Sequence, residues 1–134
     1  MPAADLHLIS TLTLATSGAD GEPHVAPVYF AASGPFLPAP ASGLAIFFFS
    51  DPNSQHAQDL ERDPRAAAAV YLESQDWQDI CGLQMQGDAR PAQPGAAWEQ
   101  AWNLYRAKFP FVDGLKAIVA RNTLYCFTPH WVRL

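Results

Sequence analysis

The sequence predicts a mainly β protein, a small antiparallel barrel with helices at its ends. Three observations lead there. Short runs of alternating or β-branched residues recur between turn signals, in a chain of 134 residues with 12 prolines and 8 glycines. Only two segments carry clear helix signals, and a proline stops each of them. About six short strands would expose many unpaired edges, and closing the sheet on itself removes them.

Ser10–Thr16 (STLTLAT) alternates and is rich in β-branched residues, as a half-buried strand is. SGADGEP follows as a turn, with Asp20-Gly21 as a hairpin dipeptide. His24–Ala32 (HVAPVYFAA) reads as the second strand, and Pro27 within it marks an edge or a bulge. SGPFLPAPASG is a loop. Leu44–Ser50 (LAIFFFS) is a third strand, apolar throughout, and so is expected to be buried on both faces. A short polar helix then opens at Asn53 or Ser54, with Ala57 and Leu60 as its apolar stripe, and stops at Pro64.

Arg65–Ser74 (RAAAAVYLES) has the alanine content of a helix. Pro64 has just ended one, however, and Val70-Tyr71-Leu72 favours a strand. Trp77–Ala92 reads as a long strand, with Ile80, Leu83 and Met85 turned inward and Gln84 and Gln86 sharing the other face. Gly82 and Gly87 leave room for a bulge or close backbone approach. Pro94-Gly95 starts a second helix, in which Trp98, Trp102, Tyr105 and Phe109 recur at helical spacing, as a core or dimer-contact stripe does. Pro110 ends it. Leu115–Leu134 is expected to form two strands that turn near Arg121-Asn122.

The length fits one domain spanning residues 1–134. The formal net charge is -5, with two lysines and no basic patch, which argues against a nucleic-acid partner. The longest apolar run is too short to cross a membrane, and the N-terminus has no basic leader, so the chain reads as cytoplasmic. Cys81 and Cys126 form no disulfide framework and read as reduced thiols. The four histidines pair neither with one another nor with cysteine at ligand spacing, so no metal site is expected.

One junction carries candidate chemistry. The strand ending Phe49-Ser50 runs into the helix that begins Ser54-Gln55-His56. A helix N-terminus presents unpaired N–H groups and a partial positive charge. Hydroxyl, amide and imidazole side chains around it suit one phosphate monoester. An ordinary N-cap with a solvated first turn accounts for the same residues.

The segment Phe49-Ser50, Ser54-Gln55-His56-Ala57, Leu60 and Pro64-Arg65 resembles the pyridoxamine 5'-phosphate oxidase-like, FMN-binding split-barrel family. There an aromatic-Thr/Ser strand end leads into a helix of the form S-[RK]-[KH]-A-x-x-[LI]-x-x-x-P-[RK]. The hairpin TLATSGADGEPHVAPVYF and the strand GLQMQGDAR fit as well, and YRAKFP resembles a segment in a bacterial branch of that family. The resemblance implies a six-stranded antiparallel split β-barrel with flanking helices. It implies a homodimer with one FMN in each of two clefts between subunits. Carried over by position, Ser50, Ser54, Gln55 and His56 hold the phosphate, with Phe49 before them. Ala26, Pro27 and Val28 run beneath the ring, and Gln84 and Gln86 reach its polar edge from the partner.

The departures are specific. Basic residues of the oxidases match Ala26, Ala31, Gln55 and His56 here, and the oxidases' C-terminal Arg-x-His element has no match in FTPHWVRL. Vitamin B6 oxidase activity is therefore not expected. The resemblance points to an FMN-dependent oxidoreductase acting on a small molecule, with Phe36 or Trp77 as an apolar wall. The alternative is a non-catalytic dimeric module for FMN, a deazaflavin or haem.

Overall fold

The computed structural model describes residues 6–33 and 43–133. Seven strands form one antiparallel sheet: β1 (Thr11–Ser17), β2 (Pro23–Tyr29), β3 (Ala31–Ser33), β4 (Ala45–Ser50), β5 (Arg65–Leu72), β6 (Cys81–Pro91) and β7 (Thr123–Arg133). The helices are α1 (Gln55–Arg62), α2 (Ala96–Lys108) and α3 (Lys116–Arg121). The sheet order is β2-β1-β5-β6-β7-β4-β3. The two outermost strands, β2 and β3, are separated in the chain by Phe30 alone. The backbone therefore passes from one edge of the sheet to the other through one residue. Taken as a single bent strand, β2 and β3 close a six-stranded barrel, and the split lies where β2 parts from β4.

Strand alternation fills this barrel. Leu12, Leu14, Phe30, Ile46, Phe48, Val70, Leu83, Met85 and Phe127 are buried and form one cluster. Phe48 and Tyr125 stack at 5.3 Å. β4 alternates instead of being buried evenly: Ile46, Phe48 and Ser50 are buried, while Phe47 and Phe49 on the outer face are half-buried. The outer face is covered by α2. Trp102 and Tyr105 meet the Phe49 ring edge-on at 5.8 and 5.0 Å, and Tyr105 and Phe109 join Ala31 in a second small core. The aromatic stripe of α2 is thus packing surface. Lys108 at the end of α2 donates to the carbonyls of Leu6 and Ile9 at 3.0 and 2.6 Å, which ties the N-terminal segment down. Burial lowers its ammonium pKa to about 8.

Two further expectations are corrected. Residues 116–121 are helical, so the C-terminal segment supplies one strand instead of two. Ile80 is 72% exposed, because β6 starts only at Cys81 and residues 77–79 form a 3-10 turn. Trp77 in that turn is 78% exposed on the single chain. Phe36 lies outside the described residues.

β6 shifts register between Gln86 and Gly87, where a Cβ on Gly87 would lie 2.2 Å from the Thr128 carbonyl oxygen. Backbone cannot yield as a side-chain tip can. Gly87→Ala is expected to destabilise the fold by about 3 kcal/mol. Gly114→Ala, with no atom within 4 Å of its Cβ, is expected to stay within about 0.5 kcal/mol of the parent in urea denaturation.

Candidate functional site

The α1 helix lies across one end of the barrel. Ser54 is its N-cap: the Ser54 backbone is extended, and its Oγ accepts from the Ala57 N–H at 3.3 Å. The Ser54 hydroxyl donates to the Asp51 carbonyl at 2.7 Å. By helix geometry the N–H groups of Gln55 and His56 have no carbonyl partner one turn back, so they remain as the donors at this end. β4 delivers Ser50 to the same point. Its Oγ lies 2.6 Å from His56 Nε2, and Ser54 Oγ lies 3.4 Å from the same nitrogen. Ser50, Ser54 and His56 therefore converge as expected.

Their electrostatics are mild. Burial pushes the His56 imidazole below its ordinary pKa, and nearby Asp59 offsets only part of this. The ring is consequently neutral near pH 7. No Lys or Arg side chain forms an ion pair or hydrogen bond with Ser50, Ser54 or His56 among the described residues. Any anion held here rests on two backbone N–H groups, the helix end and neutral side-chain donors.

Gln55 departs from the expected arrangement. Its amide nitrogen donates to Asp59 Oδ1 at 2.9 Å, one turn down α1, away from the hydroxyl cluster. Asp59 is the residue that sequence reasoning missed. Its side chain is fully covered, and it accepts from the Thr16 hydroxyl at 2.7 Å and from His24 Nδ1 at 2.7 Å. A carboxylate only accepts, so the Nδ1 proton sits on His24. Arg62 adds a longer contact at 3.7 Å and donates to the Ser17 carbonyl at 2.6 Å. Burial raises the Asp59 pKa, but the bonds from His24, Thr16 and Gln55 outweigh it and bring the group down to about 2. The partners lie 35 and 43 residues away, so no local pattern announces them.

Ala26, Pro27 and Val28 lie on β2, opposite Leu14, Thr13 and Leu12. The Phe30 N–H donates to the Ser10 carbonyl at 3.1 Å, which sets the alternation of the ladder. Ala26 and Val28 then bond inward to β1. Pro27 faces the open edge, where its missing N–H costs nothing and its carbonyl is available. Of these three residues only Pro27 offers a backbone group to a ligand at that edge. Phe49 packs beneath α2. Gln84 and Gln86 are exposed on the outer face of β6, opposite Ala69 and Ala67. They border a shallow depression of about 320 Å³ with Thr13, Ala15 and Trp131. Within one chain they do not join the hydroxyl cluster.

A split antiparallel barrel with a helix N-terminus at its mouth defines the class: a split β-barrel protein with flanking helices. The chain belongs to the pyridoxamine 5'-phosphate oxidase family, whose model matches residues 3–134. No curated protein matches it. Among solved structures, it is similar to a conserved hypothetical protein from Mycobacterium tuberculosis, with 20% identity, 99% of this chain and 83% of that chain covered, and a TM-score of 0.75. It is similar to the haem storage protein HutZ from Vibrio cholerae, with 19% identity, coverage of 98% and 90%, and a TM-score of 0.77. A haem-binding protein from Mycobacterium smegmatis shares 17% identity over 99% of this chain and 54% of that chain, with a TM-score of 0.72. These likenesses show the fold. No helix among the described residues is long and apolar enough to cross a membrane.

Asp59→Ala strands His24, Thr16 and Gln55 and is expected to cost about 3 kcal/mol in urea denaturation at pH 7. The Asp59 pKa falls from 3.8 in the unfolded chain to about 2 on folding. Its contribution is therefore complete above about pH 4 and fades as the pH falls through 2. The gap between parent and variant should narrow across that window.

Proposed function

We propose that this protein binds FMN as a homodimer and acts as an FMN-dependent oxidoreductase on a small molecule. The carrying observation is the convergence of Ser50, Ser54 and His56 on the N-terminal end of α1, in a chain of this family. The donor set fits a phosphate monoester. The N–H groups of Gln55 and His56 point outward along the helix, and rotation of the Ser54 hydroxyl away from Asp51 adds a third donor. The open edge of β2 next to the split offers the Pro27 carbonyl to the polar rim of a flavin ring. Gln84 and Gln86, beside the small residues Ala67 and Ala69, lie on a flat outer face that a second copy can cover, and they would serve that copy's cleft.

Bound FMN would supply hydride and electron transfer, so the chain needs no acid–base constellation of its own. Its residues position the phosphate.

A second reading is a non-catalytic dimeric module for haem. Two structural neighbours are described as haem proteins, and the phosphate cradle holds no Lys or Arg. His130, exposed on the outer face of β7, is an imidazole available to an iron.

Incubation with FMN or with haemin, desalting and an absorption spectrum separate the two readings. A retained flavin double band supports the first, and a Soret band with no retained flavin supports the second. Under the first reading, Ser54→Ala combined with His56→Ala should weaken FMN binding by about tenfold, a loss of about 1.4 kcal/mol. Riboflavin, which has the same ring and no phosphate, should bind both proteins alike in a fluorescence titration. Equal FMN affinity in parent and variant would remove these residues from the site.

A further inference from the structure

A larger cavity than the depression beside Gln84 and Gln86 lies elsewhere among the described residues. A groove of about 940 Å³ runs between α2 and the outer faces of β4, β6 and β7, and none of Ser50, Ser54 and His56 lines it. Its size is that of a small-molecule cleft. Its floor follows from strand register. Cys126 of β7 lies between Arg90 of β6 and Phe47 of β4, and Thr128 lies opposite Asp88 in the next row. Phe47 and Cys126 are half-buried, and Leu104 of α2 forms the facing wall. Burial raises the Cys126 pKa against an opposing hydrogen bond from Thr128, so the group stays a neutral thiol and counts with the apolar floor.

Two permanently charged side chains line the groove, together with the imidazole of His130, and the two are adjacent. Asp88 and Arg90 project from the same face of β6, and their closest ion-pair distance is 3.8 Å, with side chains 42% and 66% exposed. Four of the other cations are held more closely. Arg65 is held by Asp63 at 2.8 Å, Arg106 by Asp113 at 3.1 Å, and Arg62 and Lys108 are bound to backbone carbonyls. Arg90 makes no contact of that quality, and it faces a cavity. A loose acid–base pair beside a half-buried aromatic ring complements one kind of headgroup, an ammonium and a carboxylate on neighbouring atoms. A polyanion would be repelled by Asp88, and a plain cation by Arg90.

We propose that this groove is a second ligand site, separate from the phosphate cradle, and that it takes an aromatic α-amino acid. The carboxylate sits on Arg90, the ammonium on Asp88, and the side-chain ring lies over Phe47 and Cys126 against Leu104. The neutral amides of Gln100 and Asn103 on α2 border the opening.

The test is titration of the full-length protein with L-tryptophan, followed by calorimetry and by amide chemical shifts. Binding is expected to be saturable, and to weaken by about tenfold or more in both Arg90→Ala and Asp88→Asn, a loss of about 1.4 kcal/mol each. Tryptamine, which lacks the carboxylate, and indole-3-propionate, which lacks the ammonium, should bind more weakly than tryptophan. Leu104→Trp, which fills the groove from an exposed helix position, should abolish binding while thermal unfolding shows the fold retained. The Ser54→Ala, His56→Ala protein should bind tryptophan like the parent. Absence of saturable binding, binding insensitive to Leu104→Trp, or equal affinity for indole-3-propionate would overturn the proposal.

Discussion

The Asp59 carboxylate holds the site together. α1 is only eight residues long and buries little beyond Ala57 and Leu60, so packing alone anchors it weakly. Asp59 joins it at once to β1 through Thr16 and to β2 through His24, the two strands of the first hairpin. That attachment fixes where the N-terminal end of α1 points, and hence where Ser54 and His56 meet Ser50 at the barrel mouth. A fully buried carboxylate is unfavourable without partners, and here three side chains donate to it. The arrangement lies just under the surface, since His24 and Arg62 remain 30% and 43% exposed. It is a clasp over the end of the barrel more than a part of its core.

The clasp also shapes the chemistry of the cradle. It draws Gln55 one turn down the helix and removes an amide from the expected phosphate set. It places a negative charge behind a helix end whose partial charge is positive. The Asp59 field favours protonation of His56, and burial opposes it more strongly. The cradle therefore presents hydroxyls, two backbone N–H groups and a neutral imidazole. Under the proposed function, such a set would recognise a phosphate by geometry more than by charge, with an affinity that depends little on salt.

Much of this architecture was legible because it rests on local rules. The strand alternation of residues 10–16 and 83–85, a cap at Asn53 or Ser54 that the fold places on Ser54, the stops at Pro64 and Pro110 and the α2 stripe each follow from nearest-neighbour chemistry. The errors arise where distant partners decide. The helix at 116–121 has the β-branched composition of a strand, but no strand pairs with it, and a preceding 3-10 turn leads the chain into helix. The outer face of β4 is half-buried instead of exposed because α2, some fifty residues on, packs against it. Asp59 reads as an ordinary polar helix residue until β1 and β2 are folded against it.

The same distinction separates the two faces of the barrel. Inward positions have one task, filling the core, and Ser50 departs from it only at the mouth, where its hydroxyl meets His56. The outer face is divided among several tasks. α2 covers Phe49 and Ala31, the small residues of β1 and β5 leave a flat surface beside Gln84 and Gln86, and the groove over Cys126 lies between them. Ala67 and Ala69 fall on the outer register of β5 while Ala66 and Ala68 fall on the inner one, so a run of alanines that looks uniform serves two surfaces at once. A small side chain inside lets the barrel close tightly. Outside, it leaves room for whatever lies against the sheet.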